Sequence, residues 1–353
     1  TVDTSPVFEH IRKDGRIIKT WDFTRNKEFV YTSISHGTSV MSCIAGIVNG
    51  KKIGLATGAD FLLARTEVRS EPFSEEENWL AAVEWADKNG ADIINSSLGY
   101  TYHRYFPDQM DGKKSLVARA GNLAAKKGIL VVNAAGNDGD NSWEVIGTPA
   151  DADSVLSVGG IDPWTNYHIS FSSFGPTTDD RMKPNVCALA HVTAAGKNGM
   201  ASMDGTSFAS PLVAGFAACA WQTAKNLSSM QLFTEIQKSA ELYPYFDYAH
   251  GYGVPQASYF ADTAISFKEQ TFSFSEDKDG NIEVKINAGF LDNDKYSDKN
   301  LLYYNIQKSD GVLLEYNVLN VYQENVFSVK KSDYAKGSKL NVHYKGYTDS
   351  YQF

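Results

Sequence analysis

The chain has 353 residues, 42% of them apolar and 21% charged, and a formal net charge of −9. Such a chain can bury a substantial core without disulfides or metals. Its acidic balance argues against nucleic acid and anionic lipid as partners, because both select basic surfaces, and no apolar run is long enough to span a bilayer. The predicted elements run as follows. Ala59 to Ala64 reads as a buried strand. Glu75 to Asn89 reads as a helix, with Trp79, Leu80, Val83, Trp85 and Ala86 at helical spacing and Gly90 as its C-terminal cap. Ala91 to Asn95 is a second strand, Ser115 to Lys127 a second helix closed by Gly128, Ile129 to Asn133 a third strand and Val155 to Val158 a fourth. Short apolar strands separated by helices predict a parallel α/β sheet covered on both faces, with ligands at the carboxyl ends of its strands.

The pattern changes after Phe260. Thr271 to Asn287 alternates around Asp279-Gly280, and Tyr303 to Val318 alternates around Asp310-Gly311. Asp-Gly between alternating segments predicts hairpins closed by type I′ turns. With Leu340 to Tyr344 as a later strand, residues 266–353 read as a small antiparallel β-sandwich-like domain behind a larger one at 1–265. That second unit carries no chemical motif, so its removal is expected to spare the chemistry of the first. The three cysteines, Cys43, Cys187 and Cys219, fit no zinc template and are expected to be buried free thiols.

Three segments carry chemistry. In Gly205-Thr206-Ser207-Phe208-Ala209-Ser210-Pro211, a serine follows a glycine turn and opens an apolar helix, at the positive end of its dipole. In Ser35-His36-Gly37-Thr38, a histidine begins a packed helix. In Val131-Val132-Asn133-Ala134-Ala135-Gly136-Asn137, a buried strand runs into a glycine-containing loop that presents an amide, a suitable donor to an oxyanion. Singly, each has an ordinary explanation: an N-capping serine, a structural histidine, a turn asparagine.

In this order the three segments resemble the subtilase family of serine peptidases. Ile94-Asn95-Ser96-Ser97-Leu98-Gly99, Ser170 to Pro176 and Lys183 to Val186 add to the resemblance, which spans Thr20 to Gln256. It implies a three-layer subtilisin-like α/β fold with a mainly parallel sheet. It implies peptide-bond hydrolysis through an acyl-enzyme, with Ser207 as nucleophile, His36 as general base and Asn137 in the oxyanion hole. Ser97, Leu98 and Gly99 would pair with an extended polypeptide substrate. It also implies a bacterial protein that is secreted or held in the cell envelope. No cofactor is required. Structural calcium is compatible with the family, but no ligands for it can be named.

The triad acid stays open. Asp3 stands 33 residues before His36 but follows no apolar strand. Asp22 follows a short apolar strand but stands close to His36. The third reading places the acid on a strand upstream of Thr1, making that upstream segment a partner of the chain. A peptide-binding pseudoenzyme of the same fold and a β-sheet adhesion or scaffold protein are the competing functions. An α/β-hydrolase is disfavoured, because its histidine would follow its serine and Gly-x-Ser-x-Gly is missing.

Overall fold

The computed structural model describes every residue except 33–34, 69, 71, 262–268, 292–293, 295–299 and 323–324. The chain begins with α1 (Glu9–Lys13), β1 (Ile17–Asp22), α2 (His36–Ala45) and a short ribbon, β2 (Ile47–Val48) with β3 (Lys51–Lys52). An alternating stretch follows: β4 (Phe61–Arg65), α3 (Ser74–Lys88), β5 (Ile93–Ser96), α4 (Leu116–Lys126), β6 (Leu130–Ala134), β7 (Val155–Ile161) and β8 (Val186–Leu189). The hairpin β9 (His191–Gly196) and β10 (Gly199–Asp204) leads into α5 (Thr206–Thr223), and α6 (Ser229–Ser239) comes next.

Strands β5, β6, β7 and β8 form a parallel sheet in that order, with Val131 opposite Val155 and Asn133 opposite Ser157. Every residue of β6 and β7 is buried, as expected of strands covered on both faces. Alternation assigns the faces. Leu130, Val132, Leu156 and Val158 pack against Ala209, Val213 and Ala217 of α5 and Leu232 and Ile236 of α6. Val131 and Val155 point the other way, to Trp79 and Val83 of α3 and Val117 and Ala124 of α4. This is the three-layer α/β arrangement the sequence predicts, and it places the carboxyl ends of β5 and β6 beside the start of α5. Strands β1 and β4 pair in parallel as a separate two-stranded sheet, in which Asp22 faces Arg65.

The C-terminal strands are antiparallel. They are β11 (Phe272–Glu276), β12 (Ile282–Ile286), β13 (Leu301–Gln307), β14 (Leu313–Asn320), β15 (Val326–Val329), β16 (Lys339–Tyr344) and β17 (Tyr347–Gln352). Sheets β11-β12-β15 and β14-β13-β16-β17 share a core that includes Phe272, Ile282, Val284, Leu302, Ile306, Leu340, Val342 and Tyr344. The expected boundary at 265/266 lies outside the described residues.

Both Asp-Gly hairpins form, but not with the expected turns. Only the glycines take positive φ (+79° at Gly280, +95° at Gly311), and each donates its N–H three residues back, to Asp277 and Lys308. A type I turn closed by a left-handed glycine makes this loop, whereas type I′ needs two left-handed residues. The cysteines also differ from expectation. Cys43 and Cys187 are buried, whereas Cys219 is exposed on α5, its thiol donating to the Leu55 carbonyl.

Candidate active site

Two glycines with left-handed backbone present the principal polar groups. Gly205, at φ +137°, caps α5 and sends Ser207 into its first turn. Gly136, at φ +121°, turns the chain out of β6 toward Asn137, and a Cβ there would meet Ser173 Oγ at 2.7 Å. A side chain at either position would strain the backbone.

The carboxyl end of β5 is joined to the start of α5 by two hydrogen bonds between the same two residues. Ser97 Oγ donates to the Ser207 carbonyl at 2.8 Å, and Ser207 Oγ donates to the Ser97 carbonyl at 3.3 Å. The first has a clear cause. Residue 211 would ordinarily donate its N–H to the carbonyl of residue 207, and proline has none. Pro211 therefore frees the Ser207 carbonyl, and Ser97 takes it. Ser210 Oγ donates to Asn95 Oδ1 at 2.9 Å, and Asn95 Nδ2 donates to Ser97 Oγ at 3.3 Å, which continues the link between strand and helix.

Asn137 is fixed from one side. Its Oδ1 accepts the Thr206 N–H at 2.8 Å and lies 2.9 Å from Thr206 Oγ1. A backbone N–H can only donate, so the amide orientation follows, and Nδ2 is left on the other side. Asn137 is exposed, and among the described residues Nδ2 has no partner. The Ser207 N–H, in the first turn of α5, is likewise unpaired among the described residues. Asn137 Nδ2 and the Ser207 N–H, both close to Gly205, are thus two unpaired donors at the positive end of α5.

His36 is the first residue of α2, and its ring meets the Phe208 ring edge-on at 6.2 Å between centroids. Burial lowers its pKa below the ordinary imidazole value, and among the described residues no carboxylate contributes to that shift. The ring is therefore neutral at pH 7, the form a base needs. Among the described residues no hydrogen bond joins His36 to Ser207, whose hydroxyl points to Ser97 instead.

Among the described residues neither candidate acid contacts His36. Asp22 is fully buried at the end of β1. It accepts from Thr24 N–H and Oγ1 and faces Arg65 Nη1 at 3.1 Å and Arg25 Nε at 3.5 Å. Burial pushes its carboxyl up, and the Thr24 hydrogen bond and the two guanidinium groups outweigh that and hold it low. Asp3 accepts from the neighbouring Thr1 hydroxyl and acts electrostatically on Tyr31.

Ser97 to Gly99 follows β5 directly and lies outside any strand. The Leu98 carbonyl is held by Asn133 Nδ2 at 2.9 Å, and Tyr100 closes the segment by bridging to Thr148. Gly99 is exposed, and a Cβ there would meet nothing within 4 Å. The supporting residues Thr206, Asn133 and Pro211 were not singled out for these roles from sequence. Threonine and asparagine beside glycine read as ordinary turn chemistry, and only the assembled fold shows what they hold.

Residues 5–253 match the subtilase family, peptidase S8. The chain belongs to the subtilase family. It is 32% identical over 241 residues to Subtilisin DY of Bacillus licheniformis, covering 68% of this chain and 81% of that protein. It is 31% identical over 242 residues to the thermophilic serine proteinase of Bacillus sp. (strain AK1), covering 68% of this chain and 55% of that protein. The chain thus spans about half the length of the latter relative. Among solved structures, Sphericase superposes with a TM-score of 0.57 at 25% identity, covering 69% of this chain and 86% of that one. MycP1 with its N-terminal propeptide removed gives the same TM-score at 23% identity, covering 70% and 86%, and carries an argument about fold alone. In this subtilase no described helix is long and apolar enough to cross a membrane, and no described group of three His, Cys, Asp or Glu side chains is arranged to hold a metal.

Proposed function

We propose that this subtilase is a secreted or envelope-located serine endopeptidase acting on extended polypeptides. The observation that carries this reading is the convergence on Ser207. A hydroxyl at a helix N-terminus is joined to the open strand segment by the Ser97 exchange, and Asn137 Nδ2 and the Ser207 N–H are free beside it. A substrate strand laid along Ser97, Leu98 and Gly99 would replace the long Ser207–Ser97 contact and free the hydroxyl for attack.

In the mechanism that follows, Ser207 Oγ forms a bond to the substrate carbonyl carbon while its proton passes to His36. The oxyanion is met by Asn137 Nδ2 and the Ser207 N–H. His36 then returns the proton to the leaving amine, giving the acyl-enzyme, and water repeats the sequence to release the acid. No step needs a cofactor. With no carboxylate acting on His36 among the described residues, turnover by this chain alone is expected to be slow, since disabling the acid of a Ser-His-Asp triad costs about 10⁴-fold.

Labelling with a fluorophosphonate tests the reading. An adduct on Ser207 that forms more slowly in His36→Ala supports it. Absence of any Ser207 adduct after prolonged exposure would refute it, and would favour a fold that binds peptides without cutting them.

A further inference from the structure

The loop after β6 that presents Asn137 is held by a second segment, residues 168–175. The Gly139 N–H donates to the Phe171 carbonyl at 2.9 Å and the Ser173 N–H to the Gly136 carbonyl at 3.0 Å. The Asp138 N–H donates to Ser173 Oγ at 3.1 Å. These bonds fall on both chain neighbours of Asn137. The two segments also lie in close contact, since a Cβ at Gly139 would meet the Ser170 and Ser172 carbonyl oxygens. Farther along the loop, the Ile146 N–H donates to the Phe174 carbonyl at 3.2 Å and the Phe174 N–H to the Glu144 carbonyl at 3.3 Å.

Both ends of residues 168–175 are fastened in turn to residues 245–250. The His168 N–H donates to His250 Nε2 at 3.1 Å, and the Gly175 N–H to the Tyr248 carbonyl at 2.9 Å. A backbone N–H can only donate, so His250 Nε2 carries no proton, and Nδ1 donates to the fully buried Asp247 at 3.0 Å. Asp247 also accepts the Ala249 and His250 N–H groups, at 2.9 and 2.6 Å, which fixes the ring from its other side. The C-terminal sheets close over the same residues. Tyr303 of β13 meets the His250 ring edge-on at 5.4 Å between centroids, and Asn305 Nδ2 donates to the Phe246 carbonyl. Tyr245 and Tyr167, the residue before His168, pack in one cluster with Leu301 and Tyr303.

We propose that His250 is a positioning residue for the oxyanion donor: docked under the C-terminal sheets, it holds residues 168–175 against residues 136–139 and so sets the place of Asn137. Placement matters because an amide donor acts only at hydrogen-bond distance from the oxyanion, and a displacement of about 1 Å can cost about 100-fold in rate. The effect on catalysis rests on the peptidase reading above; the brace itself rests on the hydrogen bonds. It makes the C-terminal sheets part of the working unit, since their Tyr303 ring covers the imidazole that fastens the brace.

The test follows amide hydrogen exchange and peptide hydrolysis together in the full chain. His250→Phe keeps an aromatic ring but cannot accept the His168 N–H. It should speed exchange of the Asp138 and Gly139 amides by about tenfold or more while sparing those of β6, and lower kcat by up to about 100-fold with little change in KM. His250→Gln, whose Oε1 can accept the same N–H, should restore most of both. In an Asn137→Ala background His250→Phe should add little further loss of kcat, because both act through one donor. Tyr303→Leu strips the ring from His250 and should show the same pattern more weakly; it takes the place of His250→Phe if that variant does not fold. Faster exchange at Asp138 and Gly139, with kcat moved by neither His250→Phe nor Asn137→Ala, would uphold the brace and sink the oxyanion reading. Unchanged exchange at these amides in a folded variant, or losses of kcat that multiply in the double variant, would overturn the proposal.

Discussion

Ser97 and Ser207 each donate a side-chain hydrogen bond to the other's carbonyl, and Pro211 is the reason one of those carbonyls is available. The exchange ties the open strand segment to the helix that carries the hydroxyl. Ser97→Ala leaves the Ser207 carbonyl without its partner and should cost about 1–2 kcal/mol of stability together with a fall in kcat. Pro211→Ala restores an N–H at the position that reaches this carbonyl. In Ser97→Ala/Pro211→Ala the stability loss should therefore be smaller than the sum of the single losses. Chemical denaturation of the four proteins, read as a double-mutant cycle, checks this, and additive losses would disprove the link.

Asn137 and Thr206 form a second coupled pair. Asn137→Ala should lower kcat by about 100- to 1,000-fold with little change in KM, the range established for such a donor in a subtilisin. Thr206→Val keeps the backbone N–H but removes Oγ1, so the amide loses one of its two anchors and a smaller fall in kcat is expected. Steady-state kinetics on a peptide substrate separates the two effects.

Burial lowers the pKa of His36, so its neutral form persists to lower pH than for an exposed imidazole. The acid limb of kcat/KM for the chain alone should therefore lie below the ordinary histidine value. A pH–rate profile of kcat/KM measures it, and an acid limb at or above the ordinary histidine value would contradict it.

A third relationship concerns the C-terminal sheets. Leu242 and Tyr245 are buried against Leu301 and Tyr303, Asn305 Nδ2 donates to the Phe246 carbonyl at 2.7 Å, and the Leu313 N–H donates to Tyr248 Oη at 3.3 Å. Cutting the chain after Phe267 would uncover this surface. The sequence alone suggests that such a truncation spares cleavage; the packing predicts a marked loss of stability, and with it a loss of activity on warming. Thermal unfolding of the truncated and full chains decides between them.

Next to this contact lies His168, whose pKa burial and the nearby His250 push down to about 4. A histidine depressed in the folded state binds its proton more readily when unfolded. Its contribution to stability is present above about pH 6.5 and lost as pH falls toward 4. Urea midpoints across that range should fall with pH, and less steeply in His168→Asn.

Much of this was legible in the sequence, for identifiable reasons. Ser207, His36 and Asn137 are surrounded by glycine and small residues whose local backbone chemistry is written in the chain. β6, β7, α3 and α4 follow from apolar runs and helical spacing. The hairpin β9–β10 was missed because β10 is largely exposed and shows no apolar run. The turn type at Gly280 and Gly311 depends on strand twist, which composition does not encode. The failure of β4 and β5 to pair is a long-range property, and both read from sequence as ordinary buried strands. Thr206 and Pro211 act through partners 69 and 114 positions away, at Asn137 and Ser97.

The central claim is that Ser207 is a nucleophile served by His36. Mass-spectrometric mapping of a fluorophosphonate adduct on the purified chain tests it most directly. The account predicts a single adduct on Ser207, absent in Ser207→Ala and formed more slowly in His36→Ala. An unmodified Ser207 after prolonged exposure, or equal rates with and without the imidazole, would contradict it.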